Sequence, residues 1–343
     1  MAKRKRIKRA SSETLGRLKQ RVKRVADKRN RELIRLLAPE QAGSKTKESG
    51  RTIWAGPSQL TGEQIKVVIS GYVLPSENTK MGFGEEDLSK HEQYIQIWIL
   101  NDGDEFQPMH RSICGDCSHR TYKGESRLFL WDVLETSLRF SLVARVASAL
   151  DLIAYKEDVK GACYVQWKKG PMAAWKASNR NKPISLQAAS AICSDRLVRL
   201  GAAGDPAAVP LKVWKELLGI DGAGNMTAKS ITAYTHMWNR PEFQDYKLIC
   251  MASADSAMEK ELARSMGWST FTVRASPPDD DDRSTLCLNA VQDVHLSCAE
   301  CRKCDGLLSR SKPADIWVPL HGALANRFHA RPSSAFDAVG GCV

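Results

Sequence analysis

The order of apolar and polar residues predicts two strands early in the chain and a long helical stretch after them. Residues 66–70 and 94–100 are rich in Val, Ile and Trp, and the second run alternates along its length. Both runs have the composition of β-strands. Residues 125–156 contain no Pro or Gly and are rich in Leu, Val, Ala and Arg, so they predict one helix or two.

The second half of the chain alternates between predicted helices and strands. In chain order these are a helix over 206–218 closed by Gly219, a buried strand over 230–235, a strand over 246–251, a helix over 255–266 capped by Gly267, a strand over 268–274 and a strand over 316–320. The run from 246 to 274 is a βαβ unit, which implies parallel strands joined by a right-handed crossover. We therefore predict an α/β fold with a parallel sheet, either open or forming a partial (β/α) barrel.

The positive charge of the chain is concentrated at its N-terminus. Residues 1–35 contain 15 Lys and Arg against 3 acidic residues, so they carry the whole formal charge of +12. Leu15, Leu18, Val22 and Val25 recur at helical spacing, which predicts a basic helix with a narrow apolar seam. Such a helix could contact nucleic-acid phosphates, an anionic membrane surface or the body of the protein itself, or it could stay exposed to solvent. We favour DNA or RNA, and the residues expected to bind it are Lys3, Arg4, Lys5, Arg6, Lys8 and Arg9.

Composition also divides the chain into parts. We expect a basic helical arm at 1–38, a linker at 39–63, an α/β core at 64–280 with a helical insertion at 121–160, a cysteine-rich metal-binding segment at 281–330 and a tail at 331–343. No run approaches 18 apolar residues, and no apolar run follows the basic N-terminus. We therefore expect a cytoplasmic protein with no membrane partner.

Seven of the ten cysteines fall into two groups with metal-ligand spacing. The C-terminal group comprises Cys287, Cys298, Cys301 and Cys304, which are four thiols within 18 residues. In a reducing compartment such groups are more often metal sites than disulfides. Four thiolates suit either a tetrahedral zinc ion or an iron–sulfur cluster, and both alternatives stay open.

The N-terminal group has three cysteines, Cys114, Cys117 and Cys163. A fourth zinc ligand would come from His110 or His119, or the fourth position would be open. An open position would suit Lewis-acid or radical chemistry.

Polar residues also follow several of the predicted strands. Asp205, His236 and Asp255 lie in turns near strand ends, and the carboxyl ends of parallel strands are where ligands bind in α/β proteins. We expect these three residues to form a catalytic pocket. The alternative is that the two aspartates cap the helices that follow them and that the histidine belongs to the core.

The motifs together resemble a family of Cys-motif proteins encoded by bacteriophages and other mobile elements. The resemblance covers residues 75–330 and is carried by Cys114-x-x-Cys117, Cys163-Tyr164, Gly204-Asp205-Pro206, Tyr234-Thr235-His236-x-Trp238, Ser253-x-Asp255-Ser256, Cys298-x-x-Cys301-x-x-Cys304 and His321-Gly322. The family has no established activity, so the resemblance implies a mobile-element context and no mechanism. This chain departs from the family in its helical stretch 121–160 and in Leu288, where a proline is usual.

Two classes of function follow from these observations. The first is a zinc- or iron–sulfur-binding protein of a phage or mobile element that acts on or with nucleic acid, in DNA replication or an accessory role. The second is a metal-dependent enzyme that acts on a small molecule or nucleotide. Radical enzymes with an iron–sulfur cluster belong to this class.

Overall fold

The computed structural model describes residues 50–72, 94–115, 117, 119, 163, 165–274, 277, 282, 284–290, 296–308 and 312–320. The predicted arm at 1–38, the insertion at 121–160 and the tail at 331–343 lie outside the described residues, as does the pair His321-Gly322. Within the described parts of the chain, no helix has the length and apolar character needed to cross a membrane.

The described residues form a mixed α/β fold. The strands are β1 Arg51–Pro57, β2 Gln64–Ser70, β3 Tyr94–Asn101, β4 Leu197–Arg199, β5 Ser230–Thr232, β6 Tyr234–Thr235, β7 Met251–Ala254, β8 Thr270–Arg274, β9 Thr285–Leu286 and β10 Asp315–Pro319. The α-helices are α1 Arg111–Cys114, α2 Gly170–Ser178, α3 Leu186–Cys193, α4 Leu211–Leu218, α5 Ala257–Ser265 and α6 Cys298–Cys301. Short 3₁₀ helices span Pro206–Ala208, Pro241–Leu248 and Leu288–Ala290.

The first sheet is mixed and has the strand order β1-β2-β3-β4-β5. Strands β1, β2 and β3 pair in antiparallel fashion, whereas β3, β4 and β5 pair in parallel. Nearly every residue of β2 and β3 is buried, which is why both were predictable as strands. The prediction of a linker over 39–63 is wrong for residues 51–57, because they form β1, which pairs with β2 along its length. The sequence contains little indication of this strand, since Ile53 is the single large apolar residue that β1 buries fully.

The second sheet is entirely parallel, with the order β6-β7-β8-β10-β9. The predicted βαβ unit is confirmed as β7–α5–β8, but the strand predicted over 246–251 is wrong. That segment ends a 3₁₀ helix, and the strand begins at Met251. The reason is that Tyr246 points its hydroxyl into the core, where it donates to the Val209 carbonyl at 2.5 Å. Because β9 and β10 belong to this sheet, these two strands of the expected cysteine-rich segment at 281–330 are part of the core.

The two sheets are joined within one short stretch of chain. The buried strand predicted over 230–235 is divided at Ala233, so that β5 belongs to the first sheet and β6 to the second. The Ala233 carbonyl accepts from the Met251 N–H at 3.0 Å, at the start of β7. The prediction of a single open sheet or partial barrel is therefore replaced by two linked sheets.

Candidate metal centre

Two of the predicted site residues meet at one edge of the second sheet. His236 follows β6 and Asp255 follows β7, and these neighbouring strands run parallel. Their carboxyl ends therefore lie side by side, as the sequence predicted. His119, from the segment after Cys117, joins them at this edge.

The side chains of His119, His236 and Asp255, here called the rim centre, converge closely. The His119 Nε2 atom lies 2.8 Å from Asp255 Oδ1, and the His236 Nε2 atom lies 3.8 Å from the same oxygen. One ligand atom from each residue lies within 4.8 Å of the other two. Ligand atoms about 2.0–2.1 Å from a tetrahedral zinc ion are about 3.3 Å apart, so this spacing suits one bound cation. The side chains are 14–22% exposed, which leaves them accessible from solvent.

Two cysteines stand next to the rim centre. The Cys117 Sγ atom lies 3.9 Å from His236 Nε2. Cys163 donates its backbone N–H to the His119 carbonyl at 2.9 Å, and its thiol accepts from the Trp167 indole at 3.5 Å. Burial raises the pKa of the Cys163 thiol, and the neighbouring Cys117 adds to the rise.

The other members of the expected N-terminal metal site have different roles. Cys114 is buried at the end of α1, and its carbonyl accepts from the Cys117 N–H at 3.2 Å, which forms the turn between the two cysteines. His110 caps α1 through the Ser112 N–H and lies 3.3 Å from the Glu63 carboxylate. Of the two candidate histidines, His119 is therefore the one that reaches the centre.

Asp205 supports the rim centre from the inside. Its carboxylate accepts from the Thr235 hydroxyl at 2.7 Å, from the Ala207 N–H at 2.9 Å and from the His236 N–H at 2.8 Å. It thus caps the 3₁₀ helix at Pro206–Ala208 and also holds the backbone that carries His236. Burial raises the pKa of Asp205, while His236 and these hydrogen bonds limit the rise. The expectation of a catalytic Asp205 is corrected to a positioning residue, because its carboxylate is occupied by these three donors.

The capping role that the alternative gave to Asp255 is taken by its neighbour Ser256. The N-cap of α5 is Ser256, whose hydroxyl accepts from the Glu259 N–H at 3.1 Å. The Glu259 carboxylate in turn accepts from the Asp255 N–H at 2.6 Å. The Asp255 carboxylate is therefore available to the two imidazoles.

The charges at the rim centre reinforce one another. Burial alone would raise the pKa of Asp255, but hydrogen bonds and charge from His119 and His236 hold this pKa well below its usual value. Burial alone would lower the pKa of His236, but Cys117 and Asp255 raise it well above its usual value. The Asp255 carboxylate and the protonated His236 imidazole therefore stabilise each other.

The C-terminal cysteines lie elsewhere. They are Cys287, Cys298, Cys301 and Cys304, here called the cysteine cluster. Cys298 and Cys304 lie near two tyrosines, Tyr94 of the first sheet and Tyr234 of the second. The predicted nucleic-acid-binding residues, from Lys3 to Arg9, lie outside the described residues.

The sequence reasoning left His119 undecided and did not single out Glu259. His119 follows Cys117 at a distance of two residues, and a Cys-x-His spacing could have favoured it over His110. Comparison with known proteins adds no name. No family model, curated protein or solved structure matches this chain. The resemblance to the mobile-element family therefore stays a prediction.

Proposed function

We propose that the protein is a metal-dependent enzyme whose rim centre holds a zinc ion. The observation that carries this proposal is the convergence of three ligand atoms, from His119, His236 and Asp255, within 4.8 Å of one another. Imidazole and carboxylate are ligands typical of zinc, whereas iron–sulfur clusters take thiolates, so the rim centre favours zinc over radical iron–sulfur chemistry.

The number and placement of the ligands favour catalysis over a purely structural role. Three protein ligands leave one position of a tetrahedral ion for water or substrate, and catalytic zinc sites share this feature. Zinc there supplies Lewis acidity toward water or a substrate oxygen. Asp205 holds the backbone of His236 in place, and Glu259 does the same for Asp255. The partial exposure of the three ligands gives a substrate access to them.

Nucleic acid is the second element of the proposal, and charge is the observation that favours it. The arm at 1–35 carries all twelve excess positive charges, while the other 308 residues are neutral. We propose that this arm brings DNA or RNA to the protein, in the context of a mobile element and its replication. Deletion of residues 1–35 should abolish nucleic-acid binding, and binding by the full chain should weaken steeply with salt, because released counterions drive it. Equal binding by the truncated protein would refute this role.

A cytoplasmic location belongs to the same proposal. None of the nine described cysteines forms a disulfide, which supports a reducing compartment.

The rim centre is tested by metal analysis of the full chain and of single variants. His119→Ala, His236→Ala and Asp255→Asn should each remove one equivalent of zinc and weaken cobalt binding by about 100-fold or more, because each loses a direct ligand. His110→Ala is the matched control, since His110 lies on the same segment but caps α1. It should keep the full metal content.

Activity is tested with two simple probes, a phosphodiester and a carboxylic ester that release nitrophenol. Zinc-dependent turnover of either probe should be lost in His236→Ala and kept in His110→Ala. Unchanged zinc content in all three ligand variants would overturn the metal site. Nucleotides and nucleic acid serve as further probes. Normal metal binding without turnover of any probe would show a metal-binding site without enzymatic activity and would refute the proposed enzyme.

A further inference from the structure

Two members of the cysteine cluster lie on one short helical turn. Cys298 and Cys301 are the first and last residues of α6, and residues three apart share one side of a helical turn. A capping box fixes this turn, because Ser297 and Glu300 each accept the backbone N–H of the other, at 3.3 Å and 2.9 Å. Arg302 then takes a left-handed conformation, with φ 53°, which ends the helix and redirects the chain toward Cys304.

The same segment is fastened to both sheets. The Tyr94 hydroxyl of β3 donates to the Cys298 carbonyl at 3.3 Å. The Ala233 N–H, between β5 and β6, donates to the Cys304 carbonyl at 3.4 Å. Cys298 and Cys304 therefore lie where the chain crosses from the first sheet to the second.

Cys287 reaches this place from the far edge of the second sheet. Its N–H donates to the Trp317 carbonyl at 2.8 Å, which continues the pairing of β9 with β10. Side chains alternate along strands, and the register places Cys287 on the same face as Tyr234 and Phe271, whose rings are 4.5 Å apart.

Cys304 is close enough to Cys287, Cys298 and Cys301 to interact electrostatically with each of them. Thiolates that lie near one another need a cation to neutralise their charge.

We propose that Cys287, Cys298, Cys301 and Cys304 hold a second, structural metal centre that fastens the two sheets together beside Ala233. Its occupant is a thiolate-bound transition metal, either a zinc ion or an iron–sulfur cluster, since four thiolates serve both. The centre is separate from the rim centre. Cys304 contacts the residue before β6, whereas His236 follows the end of β6. The inference therefore stands whether or not the rim centre is catalytic.

The test compares metal content in five full-length proteins purified without oxygen. The unmodified chain should carry two centres, and both Cys298→Ser/Cys301→Ser and His236→Ala should carry one. The combination of all three changes should carry none. Cys342→Ser is the control, because Cys342 belongs to neither group, and it should lose no metal. Colourless protein with zinc identifies an ion, whereas brown protein with iron and acid-labile sulfide identifies a cluster.

A measurement on the unmodified chain covers the case in which the cysteine variant does not fold. The four thiols should resist iodoacetamide in the purified protein and become at least about tenfold more reactive after a chelator removes the metal, because metal-bound thiolates are not free nucleophiles. Mass spectrometry identifies the modified residues. Equal reactivity before and after chelation, or unchanged metal content in Cys298→Ser/Cys301→Ser, would overturn the second centre. Loss of metal from His236→Ala alone would support the rim centre and refute this one.

Discussion

The proposed rim centre joins residues up to 136 positions apart, whereas the four residues of the cysteine cluster lie within 18 consecutive positions. His119 and Asp255 are 136 positions apart and meet because β6 and β7 end side by side. The cysteines are placed by one helical turn with its own capping box and by strand β9. Ligands of the first kind exist only once the fold has formed. A motif of the second kind can bind metal while its surroundings are still forming, so we expect metal to contribute to folding there.

The largest expected effect is a difference in stability between variants of the cysteine cluster and variants of the rim centre. Cys298→Ser/Cys301→Ser should lower the unfolding free energy by about 3 kcal/mol or more, which corresponds to a fall in melting temperature of about 6 °C or more. His119→Ala/His236→Ala should change it by about 1 kcal/mol, because the strands that carry the rim are held by the core. Calorimetry on the metal-loaded proteins measures both. Equal losses in the two variants would remove the distinction.

A second prediction concerns the support of the rim. Asp205→Ala should cost about 2–3 kcal/mol, because it leaves buried donors from Thr235, Ala207 and His236 without their acceptor. It should also weaken metal binding at the rim by about 10–100-fold and leave the cysteine cluster loaded. Denaturant titration and metal analysis check these effects.

The control for Asp205 is Asp221→Ala. Asp221 makes a similar turn by accepting from the Ala223 and Asn225 N–H groups, but it is exposed. Asp221→Ala should lower the unfolding free energy much less and should leave the metal content of both groups unchanged. A similar loss in both variants would show that Asp205 acts only as a turn residue.

A third prediction tests how closely the cysteine segment packs on the chain between the 3₁₀ helix Pro241–Leu248 and β7. Gly306 has φ +67°, and a Cβ atom there would lie 2.8 Å from the backbone of Leu248 and Ile249. Gly306→Ala should therefore cost about 2 kcal/mol and reduce metal retention by the cluster, but not by the rim. Gly224→Ala has a similar φ of +85° with open space around it, and should cost about 1 kcal/mol. Urea unfolding of the two variants measures the difference, and equal costs would contradict close packing at Gly306.

The smallest predicted effect distinguishes acid unfolding from loss of metal. Burial would raise the pKa of Asp282, but hydrogen bonds and charge from Lys260 and Ser284 lower it to about 2. Arg274 also contacts this carboxylate at 3.0 Å. Because the pKa is lower in the folded protein, the carboxylate stabilises the fold above about pH 4, and this stability is lost as the pH falls toward 2.

Asp282→Asn should accordingly cost about 1 kcal/mol at pH 7 and nothing at pH 2. Metal content at pH 7 should not change, since Asp282 belongs to neither group. Unfolding at a series of pH values checks the sign. A cost that persists undiminished at pH 2 would contradict the assigned pKa.

Much of the fold was readable from local patterns. Strands β2 and β3 were predictable because almost every residue in them is buried. Helix α4 ends at Gly219, whose left-handed φ of 62° was the expected stop. The βαβ unit was found for similar reasons. Errors fell where a distant contact outweighed the local pattern, as when the core position of Tyr246 favoured a 3₁₀ helix over a strand.

Part of the candidate site was also predictable from local sequence patterns. Local sequence placed His236 and Asp255 at strand ends, and the parallel arrangement of β6 and β7 then brought them together. It could not choose His119 over His110, since both flank the same cysteine pair and the choice depends on a carboxylate 136 residues away. Nor could it decide that Ser256 caps α5 and leaves Asp255 to the histidines.

The chain alone thus specified many of the elements, the charged arm and the spacing of the cysteines, because periodicity, charge and ligand spacing act between near neighbours. The tertiary structure decided which histidine meets Asp255, that Asp205 holds the backbone rather than a ligand, and that the 230–235 strand divides at Ala233. These outcomes depend on contacts between residues far apart in sequence. Such contacts form only when the whole core closes, and their free energies decide among local alternatives of nearly equal stability.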